Sequence, residues 1–235
     1  MLSARIEDVA GLFETLTGRV PLKSLRPSML IFSSDLGPHP GQIRRQVFYS
    51  QVIAVVGLIL TLPVMVIAWL AVRLSSRGPA LYHQTRVGLR GKAFKVHKFR
   101  SMYSGAEAST GAVWATRDDP RVTPVGRWLR KLRIDELPQF FNVLRGEMAI
   151  VGPRPERPEF VAALTEKIPF YGRRHSVMPG ITGWAQINYK YGDTMADTIA
   201  KLEYDLYYIK NMSMSLDFYI MVQTVKVMLL SRGAQ

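Results

Sequence analysis

The longest hydrophobic run of the sequence covers residues 46–72 and contains no charged residue. As a helix, this run would extend over roughly 40 Å, which exceeds the ~30 Å hydrocarbon core of a bilayer. Such a length is typical of one membrane-spanning helix. A buried helical hairpin of a soluble protein is the other simple interpretation, but it is usually built from shorter runs.

Two features of this run favour a different path. Pro63 lies near its middle, where a proline removes one helical hydrogen bond and favours a kink. Basic residues flank both ends of the run, whereas a spanning helix usually carries its cationic bias on one side. They are Arg44 and Arg45 before the run and Arg73 and Arg77 after it. We therefore expect a re-entrant helix that enters the membrane, bends at Pro63 and leaves on the same face.

The run divides the sequence into three parts. Residues 1–45 form a mixed arm, in which residues 6–16 have the pattern of a short helix before four prolines interrupt the chain. Charged residues occur before any apolar stretch, so the pattern does not predict a signal peptide. The expected organisation is an arm over residues 1–45, a membrane helix over residues 46–72 and a polar domain over residues 73–235.

The first part of the polar domain predicts a β-hairpin. Residues 80–99 have a strand-like pattern on either side of a turn between Gly88 and Gly91. A helix then begins at Thr123-Pro124, because proline is tolerated in the first turn.

The second part is mainly helical. A helix is predicted over residues 135–145, with Asp135 as N-cap and Gly146 just past its end, and another over residues 196–210. The last predicted helix, residues 215–230, is so apolar that it fits either the membrane interface or the domain core. The fold class is therefore α+β, mainly α, with a short hairpin, a membrane helix and interfacial amphipathic helices.

Composition narrows the possible partners. The 235 residues include no cysteine and carry a formal net charge of +13. This charge favours polyanionic partners, namely nucleic acid, anionic lipid or phosphorylated substrates. The four histidines show no metal-binding spacing. No known nucleic-acid-reading motif is present, so we expect no nucleic acid as partner.

The adjacent carboxylates of Asp135 and Glu136 are the strongest candidates for chemistry. Each alone is ordinary at a helix start, where Asp caps and Glu complements the dipole. Here, however, basic residues crowd around the pair, and guanidinium groups at a helix N-terminus bind phosphate well. Two carboxylates inside such a site suit Mg²⁺, and a carboxylate can also attack phosphorus to form an acyl phosphate. The set therefore fits phosphoryl transfer.

Six ordered stretches make the sequence resemble the bacterial sugar transferase family, the membrane-bound polyprenyl-phosphate phosphoglycosyl transferases. In chain order they are His97-Lys98-Phe99-Arg100-Ser101-Met102, Asp119-Pro120-Arg121-Val122-Thr123, Asp135-Glu136-Leu137-Pro138-Gln139, Asn142-Val143-Leu144-Arg145-Gly146, Val151-Gly152-Pro153-Arg154-Pro155 and Pro179-Gly180-Ile181-Thr182-Gly183-Trp184-Ala185-Gln186. The resemblance covers about residues 47 to 232. Residues 8–30 also resemble the linker that joins an additional N-terminal domain to the catalytic domain in larger members, so this chain is expected to begin within that linker.

The resemblance implies a reaction and its residues. Asp135 matches the nucleophile that attacks a UDP-sugar, releases UMP and passes the sugar phosphate to polyprenyl phosphate. Glu136 matches the Mg²⁺ ligand, while Pro153 and Pro155 match residues that shape the nucleotide pocket. Five basic residues are assigned to phosphate binding: Lys98, Arg100, Arg130, Arg145 and Arg154.

The resemblance also implies a location and partners. The family's re-entrant helix breaks at a proline, so that both ends and the catalytic domain face the cytoplasm at the bacterial inner membrane. Many members have Ser before this proline, whereas Leu62 precedes Pro63 here and Thr61 is the nearest substitute. The expected partners are a UDP-sugar that carries a hexose (glucose or galactose), polyprenyl phosphate and anionic membrane lipid. A homo-oligomer and an inactive membrane-anchored scaffold remain alternatives.

One basic cluster keeps two interpretations. Arg173, Arg174 and His175 precede the Pro-Gly-Ile-Thr-Gly-Trp stretch. They would meet either the phosphate of the lipid substrate or the anionic membrane surface.

Overall fold

The computed structural model describes residues 9–22, 37–106, 111, 119–189, 192 and 194–229. Within these residues, the chain forms eight α-helices, a β-hairpin and a second pair of short strands. The helices are α1 (Val9–Thr17), α2 (Pro40–Ser75), α3 (Pro124–Lys131), α4 (Gln139–Leu144), α5 (Pro158–Lys167), α6 (Trp184–Asn188), α7 (Met195–Asn211) and α8 (Met214–Leu229). The strands are β1 (Leu81–Val87), β2 (Ala93–Phe99), β3 (Ala149–Val151) and β4 (Gly180–Thr182).

The hydrophobic run forms the long helix α2, which continues through Pro63. The predicted break of the helix at this proline is therefore wrong at the level of secondary structure. One face of α2 packs on the domain on both sides of the proline, through Ala54 before it and Met65 and Ala68 after it. This packing supports helical geometry despite the missing hydrogen bond. The Thr61 hydroxyl donates to the Gly57 carbonyl at 2.7 Å, so it does not serve the carbonyl that Pro63 leaves without its donor.

Both ends of α2 are bound to the same folded domain. Near its start, the Gln46 side-chain amide donates to the Val151 carbonyl at 3.0 Å and to Asp217 at 2.8 Å. Past its end, the Arg100 guanidinium donates to the carbonyls of Ser76 and Arg77 at 2.8 and 2.9 Å. The helix is therefore fixed at two points, on either side of its apolar centre.

The outer face of α2 remains apolar and exposed. Its largest exposed side chains include Ile59, Leu60 and Ile67. Within the described residues, α2 is the one helix long and apolar enough to cross a membrane by length and composition. Helix α8 repeats this arrangement on a smaller scale, because Ile220 is buried in the core while Phe218 is exposed. One face of this helix therefore packs in the domain core, and a position of the other face in the membrane interface stays a prediction.

The hairpin has the predicted form. Strands β1 and β2 pair antiparallel from Leu81 opposite Phe99 to Val87 opposite Ala93. Successive side chains of a strand point to opposite faces, so Lys98 and its neighbour His97 face different sides of the hairpin. Strands β3 and β4 form a separate parallel pair.

The predicted helix over residues 135–145 is divided in the structure. Ile134–Glu136 form a 3₁₀ helix, and α4 starts only at Gln139. Pro138 has no N–H to donate, so the chain cannot continue one regular helix through it without losing a hydrogen bond. Asp135 is consequently not an N-cap but lies inside a short turn. The other predicted helices of the polar domain are confirmed, and the Thr123 hydroxyl caps α3 by accepting from the Gly126 N–H at 2.9 Å.

The domain core consists of two groups of buried side chains. The larger group centres on α7 and β3 and includes Leu202, Leu206 and Val151. The smaller group joins α2 to the hairpin and α3, through residues such as Val72, Phe99 and Leu129. The 3₁₀ helix with Asp135 and Glu136 adjoins the smaller group, because Ile134 and Leu137 pack against it.

Candidate active site

Asp135 and Glu136 are both buried, with about 7% of each residue exposed. A carboxylate in this position loses most of its hydration, so its charge needs compensation from the protein. The turn that holds the pair begins at Arg133, whose φ of 54° lies in the left-handed region. This conformation is uncommon for a residue with a side chain and often marks functional sites.

Three basic side chains converge on Glu136. Lys98 Nζ lies 2.8 Å and an Arg154 amino group 2.6 Å from Oε1, while an Arg133 amino group lies 3.5 Å from Oε2. These contacts come from the end of β2, from the segment after β3 and from the preceding turn. Two of the predicted phosphate-binding residues, Lys98 and Arg154, are thus brought to the predicted acidic pair.

The Asp135 carboxylate is different, because it accepts no hydrogen bond and makes no ion pair within the part of the chain that the structure describes. Burial raises the pKa of Asp135, and the negative charge of Glu136 raises it further, against the lowering effect of Lys98, Arg130 and Arg154. Burial acts in the same direction on Glu136, but Arg154, Lys98 and Arg133 together hold the pKa of Glu136 well below its usual range. The site therefore contains one carboxylate held by cations and one without a bonded partner.

The basic residues near the pair remain accessible to a ligand. The side chain of Arg154 is 39% exposed and that of Lys98 is 23% exposed. A substrate phosphate can therefore exchange for Glu136 as the partner of these cations. Arg130 lies close enough to affect the pKa of Asp135, and its Nε donates to the Ser101 hydroxyl at 2.8 Å.

Two predicted phosphate-binding arginines lie elsewhere. The Arg100 guanidinium binds the carbonyls of Ser76 and Arg77 past the end of α2. Arg145 lies at the far end of α4 and contacts the His97 ring at 2.7 Å. Since His97 faces the opposite side of β2 from Lys98, the structure does not bring Arg145 to the acidic pair.

Pro153 and Pro155 are buried and line a small cavity beside Arg154. His175 and the buried Arg174 form another part of its wall. Burial and the neighbouring Arg174 lower the pKa of His175 to about 4, so this imidazole is neutral at neutral pH. Of the basic cluster 173–175, Arg173 is exposed and Arg174 is buried, so Arg173 is the cation of the three that lies at the surface. The lipid phosphate and the membrane surface both stay predicted partners of this cluster.

Sequence reasoning missed two polar residues that shape the site. Arg133 was not among the predicted site residues, although its spacing of three residues from Glu136 was a usable signal. Asn142 is fully buried and joins α4 to β2 by accepting from the His97 N–H at 3.0 Å and donating to the Lys95 carbonyl at 2.7 Å. Asn142 thereby fixes the strand that carries Lys98, and no local sequence pattern predicted this contact.

The acidic pair also has the donor chemistry for a divalent cation. Among the described residues there is no cluster of three or more His, Cys, Asp or Glu side chains. Mg²⁺ nevertheless usually takes only one or two carboxylates and completes its shell with phosphate oxygens and water. Asp135 and Oε2 of Glu136 offer such oxygens, because Oε1 alone receives the two short contacts. The pair therefore fits Mg²⁺ when substrate phosphates supply the remaining ligands.

The geometry thus defines a buried acidic pair with basic side chains around it, in a domain that packs against a long apolar helix. Residues 42–231 match the family model described as bacterial sugar transferase, and the chain belongs to this family.

Relatives with assigned names share long stretches with this chain. It is 44% identical over 222 residues to the UDP-N-acetylgalactosamine-undecaprenyl-phosphate N-acetylgalactosaminephosphotransferase of Aeromonas hydrophila. This match covers 94% of this chain and 52% of that protein. It is 48% identical over 178 residues to the UDP-glucose:undecaprenyl-phosphate glucose-1-phosphate transferase of Escherichia coli (strain K12), covering 74% of this chain and 38% of that protein. A third relative, the exopolysaccharide production protein PSS of Rhizobium leguminosarum bv. phaseoli, is 40% identical over 181 residues, 75% of this chain and 90% of that protein. The chain therefore spans about half, or less, of the first two relatives.

Proposed function

We propose that this protein transfers a sugar 1-phosphate from a UDP-sugar to polyprenyl phosphate, with Asp135 as the covalent nucleophile. The observation that carries the proposal is the contrast within the acidic pair. Glu136 is bound by three basic side chains, whereas the adjacent buried carboxylate of Asp135 has no bonded partner in the described chain. A desolvated carboxylate without hydrogen bonds is an available nucleophile, since no partner must be displaced before it attacks.

The first half-reaction loads the enzyme. An Asp135 carboxylate oxygen attacks the β-phosphorus of the UDP-sugar and forms an O–P bond. The bond from this phosphorus to the oxygen that bridges the two phosphates breaks, and UMP leaves with that oxygen and its electron pair. Lys98 and Arg154 balance the negative charge on the phosphate oxygens, and such positioned cations provide most of the catalysis in phosphoryl transfer.

The second half-reaction regenerates the enzyme. A phosphate oxygen of polyprenyl phosphate attacks the same phosphorus, the bond to Asp135 breaks, and the free carboxylate returns. The product is a polyprenyl diphosphate sugar. Mg²⁺, held by Glu136 and by phosphate oxygens, would supply additional charge neutralisation at the transferring group.

The names of the relatives support both substrates. The Aeromonas and Escherichia proteins are named for transfer of N-acetylgalactosamine phosphate and glucose 1-phosphate to undecaprenyl phosphate. A hexose, glucose or galactose, is our proposed sugar, and initiation of exopolysaccharide assembly is the proposed role.

The anchoring of α2 supports a path that does not cross the membrane. Gln46 and Ser76 are bonded to the same domain, and one face of α2 packs on that domain between them. A spanning helix would have to leave one of these ends on the far side of the bilayer. We propose that the exposed apolar face of α2 enters the cytoplasmic leaflet of the inner membrane from the side of the catalytic domain, where anionic lipid attracts the basic surface.

Single cysteines test this topology, since the chain contains none. Gly41→Cys and Ser215→Cys place thiols at the exposed starts of α2 and α8. Both should escape a membrane-impermeant thiol reagent in intact cells and react after lysis. Labelling of the Gly41→Cys protein alone in intact cells would show a spanning helix.

The reaction itself is tested by UMP release from a panel of UDP-sugars, followed by intact-protein mass spectrometry of the loaded enzyme. We expect one hexose to give UMP, a sugar-phosphate adduct on Asp135 and, after addition of polyprenyl phosphate, a labelled lipid product. Absence of UMP release and of adduct with every UDP-sugar would contradict the proposal and favour an inactive scaffold.

A further inference from the structure

The segment that carries Arg154 is held by hydrogen bonds from other parts of the chain. Residues 153–156 read Pro-Arg-Pro-Glu, and the two prolines have no N–H to form regular structure. All four backbone carbonyls of this segment accept hydrogen bonds from other elements. The Pro153 carbonyl accepts from the Gly180 N–H at 3.0 Å, and the Glu156 carbonyl accepts from the Val87 N–H at 2.9 Å.

The two central carbonyls accept from arginine side chains. An Arg174 amino group donates to the Arg154 carbonyl at 2.9 Å, and an Arg86 amino group donates to the Pro155 carbonyl at 3.0 Å. These arginines belong to the 3₁₀ helix Tyr171–Ser176 and to β1, which are distant in sequence from the segment they hold. Guanidinium groups suit this role because their planar fork serves several acceptors at once.

Arg174 is fixed by further contacts of its own. It is buried, donates to the Tyr171 hydroxyl at 2.6 Å and lies 2.9 Å from the Asp205 carboxylate of α7. Burial raises the pKa of Asp205 to about 6, so the carboxylate is ionised at neutral pH and compensates the guanidinium. Arg86 has a corresponding partner in Glu156 at 3.3 Å. With these partners taken, both arginines are occupied as structural donors.

The geometry assigns Arg174 and Arg86 as positioning residues for Arg154. They hold the consecutive carbonyls of Arg154 and Pro155, and the fixed backbone directs the Arg154 guanidinium to Glu136 and to the phosphates of the UDP-sugar. The assignment rests on the proposed function for its catalytic consequence. Arg154 has a long side chain, and a charge that must meet a phosphate within a fraction of an ångström needs a fixed backbone. Neither arginine needs to touch substrate to affect the reaction.

Arg174→Lys is the variant that separates positioning from charge. Lysine keeps a cation beside Asp205, but its three N–H donors leave from one nitrogen and do not reproduce the planar fork with which Arg174 reaches Asp205, Tyr171 and the Arg154 carbonyl. We expect catalytic efficiency to fall about 10- to 100-fold, the usual cost of misplacing a catalytic group. The matched control is Arg19→Lys, because Arg19 also pairs with a carboxylate of α7, Glu203 at 3.5 Å, and should change activity little.

A double-mutant cycle with Arg154→Ala distinguishes positioning from general loss of structure. Without the Arg154 guanidinium there is no side chain to position. In the Arg154→Ala background, Arg174→Lys should therefore lower catalytic efficiency by no more than about twofold, within the scatter of additive effects. An equal loss in both backgrounds, with circular dichroism unchanged, would overturn the assignment.

A second measurement does not depend on turnover. In protein labelled with ¹⁵N-arginine, the guanidinium signal of Arg154 should shift and broaden in Arg174→Lys and stay unchanged in Arg19→Lys. This outcome would uphold the positioning role even if no UDP-sugar gave UMP, in which case only the proposed function would fail. An unchanged Arg154 signal in Arg174→Lys would refute the role.

Arg86→Gln keeps the assignment testable if Arg174→Lys does not fold. The side chains of Arg86 and Glu156 are both partly exposed, so loss of this pair is tolerated more easily than loss of a buried one. The same Arg154 signal should shift in Arg86→Gln, and no shift in a folded protein would refute the assignment.

Discussion

Two buried aspartates, Asp135 and Asp217, have opposite surroundings. The Asp217 carboxylate is fully buried and accepts hydrogen bonds from Gln46 at 2.8 Å, from the Tyr208 hydroxyl at 2.7 Å and from the Tyr49 hydroxyl. Asp135 is nearly as buried and accepts none among the described residues. Burial raises the pKa of both, but hydrogen bonds to neutral donors oppose this effect at Asp217, whereas at Asp135 only nearby cations do.

The difference separates a structural carboxylate from a reactive one. At Asp217, neutral donors from α2 and α7 replace the lost water, so the acid joins three helices and is not available to react. At Asp135, no hydrogen bond from the described residues replaces the hydration that burial removes, and such a cost in stability is typical of functional sites. Burial alone would not have distinguished these two residues, but their partners do.

The largest expected effect is on turnover in Asp135→Asn. An amide cannot attack phosphorus, so activity should fall by at least about 10³-fold, as expected when a nucleophile is lost. Because the buried carboxylate has no bonds to lose, the melting temperature should stay equal or rise. Turnover assays, mass spectrometry for the adduct and thermal unfolding check both points. Retention of the adduct in the Asn protein, with deamidation excluded, would refute the assignment of Asp135.

A smaller loss of activity is expected for Arg154→Ala. This change removes a cation from the phosphate site and should cost about 2 to 4 kcal/mol of transition-state stabilisation. Comparison of kcat/KM for the UDP-sugar with the wild type measures the loss. Arg145→Ala is the matched control, because Arg145 lies on the other side of β2 and should leave kcat/KM nearly unchanged. Equal losses in the two variants would mean that the charge of the surface, rather than the position of Arg154, matters.

Asp217→Asn should affect stability instead of chemistry. The amide offers one acceptor oxygen in place of two, so part of the network loses its acceptor and unfolding should become easier by about 1 to 3 kcal/mol. Adduct formation per folded molecule should be unchanged. Denaturant unfolding of the detergent-solubilised protein measures the first effect, with Ser215→Ala as an exposed control on α8. A drop in adduct formation without loss of stability would contradict the structural role.

The smallest effect is a displacement of the pH profile in Glu136→Gln. Asp135 must be ionised to attack, so activity is lost as the pH falls through its raised pKa. Removal of the Glu136 charge removes one cause of that rise, and the acidic limb of adduct formation should therefore move to lower pH, whatever the loss in rate. Profiles of residual adduct formation in the two proteins provide the measurement. A limb displaced to higher pH would show that Glu136 does not act on Asp135 in this way.

Local sequence patterns predicted most of the secondary structure. The alternation around Gly88–Gly91 predicted the hairpin, and the Thr123-Pro124 start predicted α3. Two local predictions failed for related reasons. Pro63 was expected to break α2 but is accommodated because neighbouring turns pack on the domain. Asp135 was expected to cap a helix, but Pro138 divides that segment.

The sequence by itself determined which residues can do chemistry, because the acidic pair, its surrounding cations and the uncharged run are properties of residue type and order. Only the tertiary structure decided which cations serve the pair. Lys98 is 38 residues and Arg154 18 residues from Glu136, and they meet it because a hairpin and a parallel strand pair end beside the same turn. Arg100, equally basic and only two residues from Lys98, binds the end of α2 instead. Contacts between residues distant in sequence depend on how the elements pack, and no periodicity along the chain encodes that packing.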